Sequence, residues 1–202
     1  CEAPKKVLEM LRGPLEDRKV TISRLKNKVE YPSAFMLVAA TNPCPCGYYG
    51  EGDRCTCTPT MRLSYLSKLS GPLMDRIDLQ MVTKPVDPRR LVNRKPSEST
   101  AEIAARVMKA RKIQMERFEK DGIFCNAGMD SRLMEKYCPL DRHGQNLLEK
   151  LIEKMGLSAR ACSRIIKIAR TIADMEGELN ITPEHIAEAA GYRMLDRNSF
   201  EW

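Results

Sequence analysis

Four cysteines crowd one short stretch: Cys44 and Cys46, then Cys55 and Cys57, two Cys-x-Cys pairs about nine residues apart. Thiolates are soft ligands, and four of them satisfy tetrahedral Zn²⁺ with sulfur about 2.3 Å from the metal. Such a centre has no open coordination position, so it braces a fold and catalyses nothing itself. Gly47, Gly50 and Gly52 let the intervening loop bring the pairs face to face. Zinc knuckles usually read Cys-x-x-Cys, so free buried thiols stand as the alternative. Just upstream, the apolar run Phe35-Met36-Leu37-Val38-Ala39-Ala40 reads as a buried strand. It would deliver Asn42 to the carboxyl end of a sheet, where ligands of open α/β folds bind. A short amide there can orient a water against a terminal phosphate; a plain Asn-Pro turn residue is the other reading.

Arginines carry the next candidates. Ser70-Gly71-Pro72-Leu73-Met74-Asp75-Arg76-Ile77-Asp78 sets an arginine between two aspartates after a Gly-Pro turn. Exposed, Arg76 can reach a neighbouring subunit's nucleotide, where a guanidinium offsets charge developing on phosphate. A local Arg–Asp pair is the alternative. Arg160 falls in the first turn of a helix capped by Ser158. A cation there opposes the helix dipole, which points weakly to an anionic ligand. Arg164, Lys167 and Arg170, further along, read as a solvated face. Arg24, Lys26 and Lys28 gather at the tip of a hairpin, able to touch a phosphate backbone or simply to be hydrated. His143 and His185 are solitary and read as structural or surface residues.

The chain has 202 residues, 43% hydrophobic and 30% charged, ordinary for a globular protein with room for a core. A formal net charge of +7 permits nucleic-acid binding. The basic excess is local, at Arg18 to Lys28 and Arg89 to Lys95. No apolar run is long enough to span a bilayer and no export signal opens the chain. With eight cysteines, half of them clustered, a reducing cytoplasm is the expected location. Cys1 follows no methionine and already lies near a helix, so a longer protein, cut upstream, is expected. Neither a Gly-x-x-x-x-Gly-Lys-Ser/Thr phosphate loop nor an apolar strand ending in Asp-Glu occurs. The 202 residues alone are therefore expected neither to bind ATP tightly nor to hydrolyse it.

The elements that must position these groups fall into two kinds. Pro4 to Arg12 patterns as a helix stopped by Gly13-Pro14. Residues 18–38 read as a β-hairpin turning at Lys26-Asn27, and 43–60 as the cysteine loop. Leu63 to Leu69 and Leu73 to Asp78 are short helical pieces, and Leu79 to Val82 a closing strand. Residues 85–99, rich in Pro, Ser and basic side chains, read as a linker. Beyond it the pattern is helical. Thr100 to Asp121 carries Ile103, Val107, Ala110, Ile113, Met115 and Phe118 on or near one face, followed by Ser131 to Tyr137 and Asp141 to Met155. A helix from the Ser158 cap to Met175 stops at Gly177, and Thr182-Pro183-Glu184 opens a last helix of about twelve residues. The expected class is an α/β part followed by an all-α bundle.

Together these segments resemble the ComM/YifB family, the magnesium-chelatase-like branch of AAA+ ATPases. The likeness runs through Leu11-Arg12-Gly13-Pro14-Leu15-Glu16-Asp17-Arg18-Lys19-Val20-Thr21-Ile22-Ser23-Arg24 and Ala39-Ala40-Thr41-Asn42-Pro43-Cys44-Pro45-Cys46-Gly47. It continues through Ser70 to Asp78, Leu157-Ser158-Ala159-Arg160-Ala161, Ala169 to Asp174 and Tyr192-Arg193-Met194-Leu195-Asp196-Arg197. The resemblance implies that residues 1–84 are the latter part of an AAA+ core with parallel strands, and 100–202 its helical lid. The hairpin 18–38 would be the pre-sensor hairpin, gripping DNA at Arg24, Lys26 and Lys28. Asn42 would be the sensor-one residue that positions the lytic water, Arg76 the arginine finger acting in trans, and Arg160 the sensor-two arginine. ATP and Mg²⁺ would be cofactors of the longer protein, whose phosphate loop lies upstream. A hexameric ring acting on single-stranded or branched DNA during natural transformation is implied. A chelatase-type motor remodelling a protein partner for metal insertion, or a non-catalytic zinc-stabilised interaction module, remains open.

Overall fold

The computed structural model describes residues 1–24, 27–83, 86, 89, 92 and 97–193. Lys26, most of the 85–99 linker and the closing Met194-Leu195-Asp196-Arg197 lie outside the described residues. The chain divides into two compact units, the first built on Cys1–Ile77 and the second beginning at Asp78.

The first unit opens with α1 (Lys5–Met10) and α2 (Arg12–Asp17) rather than one helix stopped at Gly13-Pro14. Pro14 sits in the first turn of α2, where a helix has no acceptor for its N–H and a proline costs nothing. Arg18 caps α2 at φ 54°, the one positive-φ residue other than glycine among the described residues. From it the chain turns into β1 (Lys19–Arg24), antiparallel to β2 (Asn27–Pro32). The register runs from Lys19 opposite Pro32 to Arg24 opposite Asn27. Alternation places Val20, Ile22, Val29 and Tyr31 on one face, and Lys19, Thr21, Lys28 and Glu30 on the other.

Two expected strands do not form. The hairpin ends at Pro32, and residues 33–42 have no regular structure. Met36 and Val38 are 87% and 82% exposed, where a buried strand was expected. Leu79 to Val82 is likewise irregular. An apolar run becomes a parallel strand only between neighbours that take its N–H and C=O groups, and the two-stranded hairpin is the only sheet among the described residues. Two helices complete this unit. Thr58 caps α3 (Pro59–Leu66), accepting from Met61 N at 3.2 Å. Ser70 caps α4 (Gly71–Met74), accepting from Leu73 N at 3.3 Å. They bury Tyr65, Leu66, Leu73 and Met74.

The second unit is helical: α5 (Thr100–Arg117), α6 (Ser131–Tyr137), α7 (Arg142–Met155), α8 (Ala159–Glu176) and α9 (Pro183–Gly191). Side chains at the N-caps fix where four of these helices begin. Ser99 and Glu102 form a capping box, and Asp130, Asp141 and Ser158 accept from Leu133, Gly144 and Ala161. Gly177, at φ 83°, ends α8 as expected. Phe118, Leu133, Ile165, Ala169, Ile181 and Ile186 form the heart of the core. Of the six apolar residues expected on or near one face of α5, Ile103, Val107 and Met115 are exposed and only Ala110 and Phe118 are buried. Between those two sits buried Gln114.

Gln114 is inside because the unit contains a buried polar knot. Its Oε1 accepts from Asn126 N at 3.2 Å. Asp174, fully buried on α8, accepts from Asn126 Nδ2 and Arg117 Nη1, both at 2.8 Å, and from Arg170 Nε at 3.1 Å. Arg170 also donates to the carbonyls of Leu179, at 2.7 Å, and Glu178. It is buried, not part of a solvated face, and these interior acceptors satisfy its fork of donors in place of water. Removing one partner of a buried ion pair strands the other, at about 3–5 kcal/mol. Asp174→Ala is expected to lower stability by that amount in urea unfolding; a loss below about 1 kcal/mol would show the knot to be energetically idle.

Candidate functional site

The structure brings the four expected thiols together. Cys44, Cys46, Cys55 and Cys57 place their sulfurs within 4.8 Å of one another, with Cys44 fully buried. The Sγ–Sγ distances are 3.3 Å for Cys44–Cys46, 3.7 Å for Cys46–Cys55 and 3.9 Å for Cys44–Cys55. A metal bonded to four sulfurs at about 2.3 Å requires S–S edges of about 3.8 Å, so the donor set fits a tetrahedral cation of zinc's size. All four are free thiols, and no disulfide competes for them.

Backbone geometry makes the cluster. Gly47 turns at φ 85°, its N–H donating to Cys44 O at 3.1 Å, which folds the first pair inward. Hydrogen bonding from the Tyr48 backbone, helped by Cys44 and by the Thr56 backbone, holds the Cys46 thiol down to about 6. The Cys57 thiol receives a backbone hydrogen bond from Cys46, but burial and the neighbouring Cys46 and Cys44 sulfurs outweigh it and push the group up to about 11. Crowded sulfurs that cannot all ionise together are the arrangement a central cation relieves. Outside the cluster, Arg54 stacks on Tyr48 at 4.3 Å and Arg62 on Tyr49 at 3.6 Å, stiffening the loop.

Asn42 lies immediately before this loop, exposed and not at a strand end. Its amide rests against Gly47: a Cβ added there would meet Asn42 Cγ and Nδ2 at 3.7 Å. Beside it, Thr41 Oγ1 lies 3.5 Å from Tyr65 OH. Arg76 departs from expectation. Its side chain is 10% exposed, and it pairs with Glu16 rather than projecting outward or pairing locally. Nε lies 3.1 Å from Glu16 Oε2, and Nη1 donates to Pro72 O at 2.6 Å. Nothing in the local spacing identifies Glu16, which is remote in sequence.

Arg160 belongs to the second unit, exposed in the first turn of α8. Two of the residues read as its solvated neighbours are engaged: Arg164 pairs with Asp78, and Lys167 Nζ donates to Met129 O at 2.6 Å. Arg24 and Lys28 stand exposed at the hairpin end, and Lys26 lies outside the described residues. His185 is structural, as read: Nδ1 accepts from Thr182 N at 3.0 Å and Nε2 lies 2.9 Å from Glu176 Oε2. No described helix is long and apolar enough to cross a membrane.

Residues 1–91 match the family profile described as magnesium chelatase, subunit ChlI, and residues 97–193 the one described as magnesium chelatase, subunit ChlI C-terminal. The competence protein ComM of Haemophilus influenzae is 42% identical over 197 residues, and the uncharacterized protein YifB of Escherichia coli 40% over 198. Each of these matches covers 97% of this chain and 38% of the relative. An uncharacterized protein of Mycobacterium tuberculosis is 33% identical over 190 residues, covering 92% of this chain and 37% of its own length. This chain therefore spans well under half the length of these relatives. With two profiles accounting for nearly every residue, the chain belongs to the magnesium-chelatase-like ComM/YifB family of AAA+-type ATPases.

Proposed function

We propose that these residues form the latter part of the ATPase core and the helical lid of a hexameric, cytoplasmic ring motor that acts on single-stranded or branched DNA. The observation that carries the reading is the 42% identity to a competence protein, maintained along 97% of this chain. A solvent-exposed hairpin with Arg24 and Lys28 at its end supports a nucleic-acid contact, since exposed Arg and Lys neutralise backbone phosphates and release their counterions. The core occupies 1–84, the linker 85–99 and the lid 100–202, a division supported by profiles that end at 91 and begin at 97.

In this reading ATP and Mg²⁺ are held by segments upstream of residue 1. Asn42 orients the attacking water, Arg76 reaches the nucleotide of the adjacent subunit, and Arg160 draws the lid onto the terminal phosphate. Zinc sits among Cys44, Cys46, Cys55 and Cys57; bound there, it supplies cross-linking and no Lewis-acid step, because all four positions are taken. The chelatase descriptions of both profiles favour one rival reading, a motor that remodels a protein partner during metal insertion.

Steady-state ATPase assays of the full-length protein separate the two. Branched DNA is expected to stimulate turnover; turnover indifferent to DNA but raised by a protein partner would favour the chelatase-type motor. Arg76→Ala is expected to lower kcat by roughly 10³–10⁵-fold while nucleotide binding persists. Wild-type turnover in that variant would remove Arg76 from the site. Protein purified without added zinc is expected to carry about one equivalent per chain, lost when Cys44 and Cys46 are both replaced by Ser. Metal-free protein whose four thiols all react freely would retire the zinc centre.

A further inference from the structure

Arg76 is held in a conformation in which it cannot serve a phosphate on another molecule. The Pro72 carbonyl accepts from its Nη1, Glu16 pairs with the guanidinium at 3.1 Å from a buried Nε that makes no hydrogen bond among the described residues, and nine-tenths of the side chain is covered. A guanidinium has one rigid fork of donors, and edges spent on an internal carboxylate are not available to an external anion. We propose that Glu16 is a positioning residue, which stows the arginine finger and surrenders it when the hairpin is displaced by DNA. The inference rests on the reading of Arg76 as a finger acting in trans.

The hairpin is hung so as to move Glu16. Within these 202 residues every described residue of β1 and β2 is exposed. Both of its ends are tied to one residue. β1 leaves directly from Arg18, and Ser33 N, just beyond β2, donates to Arg18 O at 2.7 Å. Arg18 in turn donates from its N–H to Pro14 O at 3.1 Å, which fastens it to α2. Its left-handed backbone is one that L residues adopt rarely and keep only while the surroundings hold it. A force on the basic tip therefore arrives at the end of α2, where Glu16 stands two residues before the hinge. Displacing that end lengthens an ion-pair contact of 3.1 Å that no hydrogen bond at Nε holds in place.

The arrangement gives two states, Arg76 on Glu16 or Arg76 extended, and DNA favours the second by binding only the displaced hairpin. DNA contact in one subunit thereby licenses hydrolysis in its neighbour.

Full-length protein tests this by ATPase rate with and without four-way DNA, for wild type, Glu16→Gln, Glu16→Asp and Arg76→Ala. Glu16→Gln weakens the stow and is expected to raise DNA-independent kcat at least threefold, bringing the DNA stimulation ratio close to one. Glu16→Asp keeps the charge and is expected to restore much of the ratio; it also stands in if the Gln variant fails to fold. A wild-type ratio in both Glu16 variants, with Arg76→Ala inactive, overturns the role of Glu16 and leaves the finger in place. Arg76→Ala with normal turnover overturns the finger itself. A merely structural Glu16 would lower both rates together and leave their ratio unchanged, which also overturns the proposal.

Discussion

Four sulfurs within 4.8 Å of one another constitute the constraint on which the first unit turns. Thiols that close repel once ionised, and no regular hydrogen-bonded frame surrounds them: among residues 43–57 only the 3₁₀ turn Gly52–Arg54 is regular. What stiffens the loop is the Gly47 N–H bonded to Cys44 O, together with two Arg–Tyr stacks. Everything downstream is registered from it. Cys57 is followed at once by Thr58, whose hydroxyl starts α3, and α3 buries Tyr65 and Leu66. A loop free to wander would leave that cap, and so the helix leading toward Arg76, without a fixed origin.

The second unit answers the same problem with charge instead of metal-binding groups. One carboxylate, Asp174, gathers Arg117, Arg170 and Asn126 and so ties α5, the turn Asn126–Gly128, α8 and the residues after α8 to a common point. Apolar packing alone would permit α5 to rotate, because its apolar residues are spread around the helix and several face water. Directional partners at Gln114 and Arg117 select one rotation. Specificity of this kind is the best-attested use of buried polar groups, whose net contribution to stability is otherwise small.

The boundary between what was legible in the sequence and what was not follows the range of the interactions. Ser158 and Gly177 delimit α8 as read, and Ser131 to Tyr137 is a helix as read, because caps act over three or four residues. The cysteine cluster was legible for the same reason: its members are close in sequence and chemically distinctive. Gly13-Pro14 misled because a Gly-Pro pair, a common helix stop, equally suits the first turn of a helix, as it does in α2. Phe35 to Ala40 has a strand's composition, yet strands exist only in pairs, and composition does not supply the partner. Arg76 with Glu16 and Arg117 with Asp174 were out of reach, since nothing in a local pattern names an acid many helices away.

Asn42 shows how these ranges combine at a site. An exposed amide on an irregular segment would ordinarily sample several rotamers, a poor device for aiming a water molecule. Here the amide lies against Gly47, whose φ of 85° turns the start of the cysteine loop toward it. Asn42 thus lies against a backbone turn that contains Cys44 and Cys46. Cross-linking those sulfurs would stiffen the turn without touching the amide, so an ion bound there and the role proposed for Asn42 need share no ligand. That is a physical reason for the cysteines to stand directly after the asparagine: the shorter the chain between an anchor and the group it aims, the fewer torsions are left to blur the aim.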